Sequence, residues 1–542
     1  MFSFFKRKKT EAAQGAQLVV PNKTAYEPKL PTVSDERITA SINELMDGKY
    51  TYVQLLLENF FFVNEKQQKD IAQALLQTLG SLSAKKWYTF SDICRGSDYC
   101  SHSQYLMFRG TQQADLTREK YPHLSDEEYI ALLCIGTFNR NGYFREDCLR
   151  KLAKYDGLLR YFYIRVNDWV QEIRNCSAEL LKQILPKCPL YDIIRDTIIY
   201  EKLAMTHRRS EKHIGELYET ICARIKNELG TSHLARLYRE EPMIRNAFYR
   251  FGCQNGLFSK EILENIIEYE PFGSSKELIL MHKIGNFGCS DSEYEKYISH
   301  KCPNIRYTAL LKKYEELNSA WDGLDRLLTD KSSKVRALAV FILKKYWGFK
   351  PREYFLELLG TENTAIAVAE LGTYGTKADA EALKSFICPD NTATARKALR
   401  SYGKLMGADG APVYWEQLCS YNSLMATEAY RTITANRINY SCSDIWNEYK
   451  HHTAPTIKKH FIHLLCRQTD WDRMKYLVEL YADDSLDETL KSCVIGSLSR
   501  RNMYKKLTGD TADELVSAIN EHRDKLGKLA DGLLFDISKA KS

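Results

Sequence analysis

The sequence predicts an all-α protein, an α-solenoid in which antiparallel helix pairs stack into a superhelix. The 542-residue chain has only 13 prolines and 27 glycines, which is few for an all-β protein of this length. Its hydrophobic content of 44% excludes a mostly disordered chain. A pattern of apolar and basic residues also recurs every thirty or so residues along most of the chain. These observations predict helices that repeat as units.

The repeating pattern is an apolar residue, often followed by a basic one, with small and further apolar residues just after. From Ile305 to Leu490 the steps between copies are 30, 31, 29, 30, 32 and 33 residues. Such a period accommodates two short helices and two turns, whose apolar faces can be buried only by stacking neighbours. The aligned residues are Phe144, Ile173, Ile244, Ile305, Val335, Ile366 and Ala395, with weaker copies at Met425, Ile457 and Leu490.

The chain is predicted to have four segments. Residues 1–33 form a disordered N-terminal segment with a phenylalanine-rich and basic start. Residues 34–130 form an N-terminal helical region with an irregular stretch near 85–125. Residues 131–508 hold the repeat array, and 509–542 supply helices that cap the apolar face of its last unit.

The net charge of +7 is concentrated at the N-terminus. Four consecutive cations there leave only +3 for the rest of the chain, so the body is close to neutral. Beside three phenylalanines, these cations predict at most weak peripheral contact with an anionic membrane surface, at the inner face of the membrane of a cytoplasmic protein. No apolar run reaches the ~18 residues of a membrane span. The residues of this contact are Phe2, Phe4, Phe5, Lys6, Arg7, Lys8 and Lys9.

No catalytic signature, cofactor site or metal site is predicted. The 15 cysteines are scattered singly without a CxxC pair, which is typical of reduced thiols in a cytoplasmic protein. Two clusters have potential ligands but no spacing that a metal site requires, and we expect loop and helix residues there. They are Cys94, Cys100 and His102, and His451, His452, His460 and His463.

The repeats resemble HEAT repeats, particularly the short bacterial variety of about 30 residues that is also found in phycobilisome-lyase-like proteins. The stretches DKSSKVRALAV (330–340), NDWVQEIRNCSAELL (167–181) and CPNIRYTALL (302–311) carry the resemblance, which covers roughly residues 130 to 505. In HEAT repeats a turn Asp and a helix Arg form a polar ladder between neighbouring units. The resemblance therefore implies a ladder at Asp168, Arg174, Arg245, Arg306, Asp330, Arg336 and Arg396, with Arg145 at an equivalent position and Asp390 as a partner for Arg396.

A second set of basic residues falls near the ends of the second helices of the units. The helix dipole favours cations there by about 0.3–1 kcal/mol each, so helix capping accounts for them. Stacked units would also align them along one rim, where they could hold an acidic partner. These predicted rim residues are Lys182, Lys312, Lys313, Lys344, Lys345 and Lys404.

Three function classes are compatible with this architecture. The favoured one is a non-enzymatic scaffold or adaptor that binds a macromolecular partner, most often a protein. The alternative is nucleic-acid binding or alkylpurine-DNA-glycosylase-like activity, because a family of those glycosylases is also built from HEAT-like repeats, although the near-neutral body disfavours it. A lyase role ranks third, since no arrangement of cysteines, histidines or acids supports that chemistry. The carboxylate–aromatic pairs nearest to glycosylase chemistry are Asp168 with Trp169, Trp321 with Asp322, and Trp471 with Asp472.

Overall fold

The computed structural model of the chain describes residues 34–96, 115–204, 212–387, 391–468, 471–500 and 506–540. Within these ranges the chain forms thirty α-helices and several short 3-10 segments, and no β-strand. The all-α class, with successive antiparallel helix pairs packed on one another, is therefore confirmed. By its internal contacts the chain divides into two compact units between Asp291 and Ser292.

The first unit contains fourteen of the described helices. They are α1 (Asp35–Met46), α2 (Tyr52–Phe60), α3 (Glu65–Gly80), α4 (Ala84–Gly96), α5 (Asp126–Gly136), α6 (Gly142–Leu152), α7 (Leu159–Val166), α8 (Gln171–Ile184), α9 (Leu190–Ala204), α10 (Lys212–Glu228), α11 (Thr231–Leu237), α12 (Pro242–Gln254), α13 (Lys260–Tyr269) and α14 (Gly273–Phe287).

The remaining described helices belong to the second unit, and the first of them begins at the boundary residue. They are α15 (Asp291–Ile298), α16 (Pro303–Leu317), α17 (Ser333–Trp347), α18 (Pro351–Glu357), α19 (Thr364–Tyr374), α20 (Ala380–Lys384), α21 (Thr392–Met406), α22 (Ala411–Leu418), α23 (Ser423–Ala435), α24 (Cys442–His451), α25 (Pro455–Arg467), α26 (Met474–Ala482), α27 (Glu488–Leu498), α28 (Gly509–Glu521), α29 (Arg523–Leu526) and α30 (Lys528–Ala540).

Each residue aligned by the repeat pattern lies at the same place, just inside the second helix of a pair. It is the third residue of its helix in every copy except α21, where Ala395 is the fourth. All ten residues are buried apart from Ile366, which is half-buried. Local start signals explain this constancy, since Pro303 and Pro455 occupy the first turn and Asn422 caps its helix through its side chain.

The second helices of the second unit pack on one another in chain order. Helix α16 packs on α17, and α19, α21, α23, α25 and α27 form a consecutive series of contacts. The first elements of the pairs are shorter, such as the 3-10 segment Leu324–Thr329 and α18. One apolar cluster runs from Ala380 to Ala540 and includes Leu515 and Ile519 of the predicted C-terminal cap.

The first part of the stretch predicted to be irregular near 85–125 is helical. Helix α4 extends to Gly96, because Trp87, Phe90 and Cys94 lie on one helical face and are all buried. Residues 97–114 lie outside the described residues. After them, Arg118 donates hydrogen bonds to the backbone carbonyl of Leu124 at 2.9 Å, which fixes the approach to α5.

The close approach of α19 and α21 can be tested at Gly372. A Cβ atom at this position would lie 2.8 Å from the Cα atom of Ser401, so the helices would have to separate. We expect Gly372→Ala to lower the free energy of unfolding by about 1–3 kcal/mol, measured by urea titration. The control is Gly496→Ala in α27, where a Cβ meets nothing within 4 Å, and this change is expected to be neutral or stabilising. Equal effects of the two substitutions would contradict this packing.

Candidate functional site

A recurring arginine–carboxylate contact joins successive helix pairs, and Arg306 on α16 has the most complete example. Its Nη1 donates to the backbone carbonyls of His300 and Lys301, at 2.8 and 3.1 Å, in the turn before its own helix. Its Nε and Nη2 donate to the two carboxylate oxygens of Asp330, both at 2.7 Å, in the turn before α17. One guanidinium therefore ties its own turn to the turn of the next pair.

The first unit contains two contacts of the same kind. Nη1 of Arg145 donates to the carbonyl of Asn139 at 2.7 Å, and its Nη2 lies 3.2 Å from Oδ1 of Asp168. Nε of Arg245 lies 3.1 Å from Oε2 of Glu270. In both cases the carboxylate lies near the start of the next helix pair's second helix, about 24 residues further along the chain.

Two further arginines of the second unit reach a carboxylate inside the next second helix. Nη1 of Arg336 donates to the backbone carbonyl of Asp330 at 2.6 Å, and its Nε donates to Oε1 of Glu370 at 2.7 Å. Nη2 of Arg396 lies 3.5 Å from Oε2 of Glu428. We call this whole series of contacts the arginine series.

In the arginine series, the carboxylate of a turn Asp does not pair with the Arg of its own unit. Arg174 donates to the backbone carbonyl of Asp168 at 2.9 Å. The carboxylate of Asp168 instead lies between Arg145 and Arg165, at 3.2 and 2.9 Å. Asp390, predicted as a partner for Arg396, lies outside the described residues.

Several acceptors were not found from the sequence. Glu370 and Glu428 lie inside helices and not at the turn position that the repeat pattern marks, although each is the lone acid of its helix. Glu270 stands three residues before its helix, as Asp168 and Asp330 do, but in a unit that matches the repeat pattern poorly.

A further pair joins α18 to the next pair, where Arg352 donates to both oxygens of Asp379 at 2.8 and 2.6 Å. The hydrogen bonds from Arg352 lower the pKa of Asp379 to about 2.

The carboxylate–aromatic pairs considered for glycosylase chemistry lie in different local environments. Asp168 is fully buried and held by two arginines, while the adjacent Trp169 is exposed. The Trp321 ring instead faces the ammonium of Lys313, 5.1 Å from the ring centroid. Trp471 and Asp472 line a separate cavity of about 430 Å³. A base-excision carboxylate must approach the substrate, and the carboxylate of Asp168 is closed off from solvent.

Three of the predicted rim lysines are neutralised by nearby carboxylates. Lys182 pairs with Glu216, and Lys312 lies 2.7 Å from a carboxylate three residues further along its helix. Lys313 is buried, with its Nζ 3.2 Å from Glu295. These three lysines are therefore compensated within the protein itself.

The other rim lysines are exposed. Lys344 and Lys404 have no carboxylate partner in the ranges that the structure describes. Lys345 donates to the hydroxyl oxygen of Tyr314 at 2.9 Å. Among the predicted rim positions, the lysines without a carboxylate partner in the described residues are thus confined to α17 and α21.

A groove of about 440 Å³ lies between the second helices α17, α19 and α21. Helices α17 and α21 together carry eight basic residues and no acidic one, and α19 carries a single acid, Glu370. Lys334, Lys397 and Lys404 line the groove, and none of them has a carboxylate partner among the described residues. We call it the basic groove; its charged lining residues are Lys334, Arg336, Glu370, Lys397, Arg400 and Lys404.

The nearest carboxylate beyond the basic groove, Glu428 on α23, is shared among three arginines. Arg400 donates to its two oxygens at 2.7 and 2.9 Å, while Arg396 and Arg431 lie at 3.5 and 3.8 Å. Glu428 is buried beneath them. A single negative charge cannot compensate three positive ones, so the cation excess extends from α17 across to α23.

Exposed aromatic side chains adjoin the cations at the end of α17. The rings of Tyr314 and Phe341 are in edge contact, with centroids 6.0 Å apart. The Lys345 ammonium lies over Tyr314 and over Tyr346, at 5.5 and 4.7 Å from the ring centroids. Phe341 and Trp347 are 52% and 53% exposed. We call these five residues the aromatic–lysine surface.

The histidine cluster of α25 is a packed structural group. Nε2 of His460 lies 3.0 Å from Oγ1 of Thr427, and its ring stacks on Tyr430 with centroids 4.7 Å apart. Nδ1 of His463 lies 3.7 Å from Sγ of Cys493. Burial lowers the pKa of His460 to about 4. No group of three potential metal ligands occurs within the described part of the chain.

Some predicted residues cannot be placed. The N-terminal stretch 2–9, proposed for membrane contact, and the potential ligands Cys100 and His102 lie outside the described residues. Among the helices that are described, none combines the length and apolar content needed to cross a bilayer.

Comparison with known proteins does not assign a family. No protein-family model matches the chain, and no curated protein matches it. Similar solved structures include a mutant of Kap121p, with a TM-score of 0.35 and 10% identity over 94% of this chain and 67% of that one. Importin beta has a TM-score of 0.27 and 11% identity over 93% of this chain and 64% of that one. Kap121p bound to Pho4p has a TM-score of 0.27 and 11% identity over 92% of this chain and 64% of that one. TM-scores this low carry no argument about function, and the HEAT repeat type stays a prediction.

The contribution of the arginine series can be measured at Asp330. Replacing it with alanine leaves the largely buried Arg306 guanidinium without its carboxylate. We expect Asp330→Ala to cost about 3 kcal/mol of unfolding free energy in urea titrations. The control is Glu353→Ala, which removes the exposed Lys350–Glu353 pair and is expected to cost less than about 0.5 kcal/mol. Similar losses from both variants would show that the pair contributes no more than a surface ion pair.

The packing of His460 predicts a pH dependence of stability. Its folded pKa is depressed by burial and by nearby His463, Lys459 and Arg431, whereas the unfolded value is the ordinary 6.5. Below about pH 6.5 the unfolded chain therefore binds the proton first, and stability is lost as the pH falls from about 6.5 to 4. Urea titrations at pH 7 and pH 5 should show a smaller loss for His460→Gln than for the wild type. An equal loss in both proteins would assign the pH dependence to other groups.

Proposed function

We propose that this chain is a non-enzymatic scaffold that binds a protein partner on the second helices of its Ser292–Ser542 unit. The observation that carries the proposal is the aromatic–lysine surface, where exposed rings adjoin exposed cations. Protein interfaces are enriched in aromatic side chains, and an aromatic residue such as Trp347 is a typical hot spot.

The contacts within the aromatic–lysine surface favour binding without a large ordering cost. The Tyr346 hydroxyl donates to Oδ1 of Asn318 at 2.9 Å, and Lys345 is held against two rings. Side chains that are already ordered lose less conformational entropy when a partner docks, by roughly 0.5–1.5 kcal/mol for each. Phe341, whose ring contacts Tyr314, can therefore contribute apolar contact area from a partly fixed surface, and the exposed Trp347 adds further apolar area.

Nucleic-acid binding is the second candidate, and the eight cations of α17 and α21 favour it. Two features favour a protein instead. These eight cations are confined to one part of a nearly neutral body, and none of the carboxylates considered for base excision lines the basic groove. A mobility shift at moderate ionic strength separates the two candidates, since phosphate-driven binding is strong and falls steeply with salt.

The proposal predicts a specific loss of partner binding. Phe341→Ala with Trp347→Ala removes the exposed rings while leaving the buried face of α17 intact. A protein captured by the full chain from a nuclease-treated extract, then purified, should bind this double variant at least tenfold more weakly in calorimetry. The reason is the loss of aromatic hot-spot contacts.

The matched control is Tyr421→Ala with Phe535→Ala, two exposed aromatics of the same unit outside the aromatic–lysine surface. This control should retain the partner with an unchanged affinity. Recovery of nucleic acid alone from an untreated extract would refute the proposal, and so would equal loss of the partner by both double variants.

A further inference from the structure

We propose that the basic groove binds an extended acidic segment of the partner protein, four to six or so residues long, through side-chain carboxylates. This inference rests on the proposed function and specifies the chemistry of the partner. It is carried by the cations of α17 and α21 that line the groove and have no acidic partner among the described residues.

The cations on α21 repel one another in the unbound protein. Arg396 and Arg400, and again Arg400 and Lys404, are four residues apart on one helix, where like charges destabilise each other. Among the described residues, the only carboxylate that Arg396 and Arg400 reach, on Glu428, is already shared with Arg431. A bound anionic segment would supply the negative charge that this helix lacks.

The free cations of the groove are suited to carboxylates spread along a chain. Arg336 uses its Nη1 and Nε on Asp330 and Glu370, and Arg400 uses its Nε and Nη2 on Glu428. These guanidiniums therefore cannot offer an open bidentate fork, which is the arrangement that favours phosphate. The groove cations that have no carboxylate partner among the described residues are lysine ammonium groups, each of which acts as a point charge.

The lining of the groove favours a peptide over a nucleic acid. Sites for single strands combine cations with exposed aromatic faces on which bases stack. The one aromatic residue that lines the basic groove, Tyr374, is half-buried and stacks on Phe355 with centroids 6.0 Å apart and planes 11° apart. Ala337 and Ala369 also line the groove, and small side chains there let an extended backbone approach the helices.

The distance between the groove lysines sets the length of the acidic segment. Lys397 and Lys404 are separated by seven residues of helix, which corresponds to about 10.5 Å. An extended peptide covers that distance in roughly three residues. Carboxylates three positions apart can therefore reach both lysines, with a further one near Lys334 on the other side of the groove.

The test uses the full chain and two fluorescein-labelled ten-residue peptides. One has Glu at every third position, and the other has Gln at those positions. Fluorescence anisotropy should show that the Glu peptide binds and the Gln peptide does not. Binding should weaken as salt is raised from about 50 to 300 mM, because the contacts are ionic. Lys397→Glu with Lys404→Glu should weaken binding at least tenfold.

The matched control is Lys384→Glu with Lys528→Glu, which changes the net charge by the same amount at exposed sites outside the groove. It should bind the Glu peptide within twofold of the wild type. The groove variant is expected to stay folded, because each new Glu lies three or four residues from Arg400 and removes a like-charge repulsion. Thermal melting of both variants checks this point.

Four results would overturn the inference. They are absence of binding by the Glu peptide, equal loss in the two double variants, tighter binding of a single-stranded oligonucleotide that the groove variant abolishes, and binding of a phosphoserine peptide alone. The first result, combined with a captured protein partner that still depends on Phe341 and Trp347, would leave the proposed function standing. If the captured protein binds neither the aromatic–lysine surface nor the basic groove, the proposed function itself is refuted.

Discussion

The structure depends on one constraint, which is that a helix pair of about thirty residues cannot bury its apolar face without a neighbouring pair. The carbonyls before each second helix need donors, and the apolar face of the pair needs a neighbour. At Arg306 a single guanidinium meets both needs, since it holds the carbonyls of its own turn and the carboxylate of Asp330 in the next. Because such a group is largely buried, its partner's removal costs more than a surface ion pair contributes.

The same constraint shapes the surface of the second unit. Arg336 pairs with Glu370, and Arg400 pairs with Glu428, so both of these carboxylates are already bound to arginines of the protein. The lysines between them are left without acidic neighbours among the described residues. Internal stabilisation and external charge are therefore linked, because the acids that hold the pairs together are unavailable to neutralise the lysines that face solvent. This link connects the packing of the repeats to the proposed choice of an acidic partner.

Much of the fold could be predicted from the sequence, because the repeat pattern marks the start of each second helix and apolar residues such as Val335 are buried there. The contacts between pairs could not, since the acceptors Glu370 and Glu428 stand away from the aligned turn position and become partners only when helices stack. The predicted rim lysines have different environments for the same reason. Lys313 is buried against Glu295, whereas Lys404 lines the basic groove. Neighbouring pairs, not local sequence, decide which cation stays exposed.

The most direct test of the central claim is a double-mutant cycle at Arg336 and Glu370. Protection of the α17 and α19 amides is measured by native-state hydrogen exchange in the wild type, Arg336→Met, Glu370→Gln and the double variant. If the Arg336–Glu370 pair joins neighbouring helix pairs, the two single variants each lose opening free energy in both helices. The sum of these two losses then exceeds the loss in the double variant by about 1 kcal/mol or more. Single losses that add to within about 0.3–0.5 kcal/mol would contradict the account.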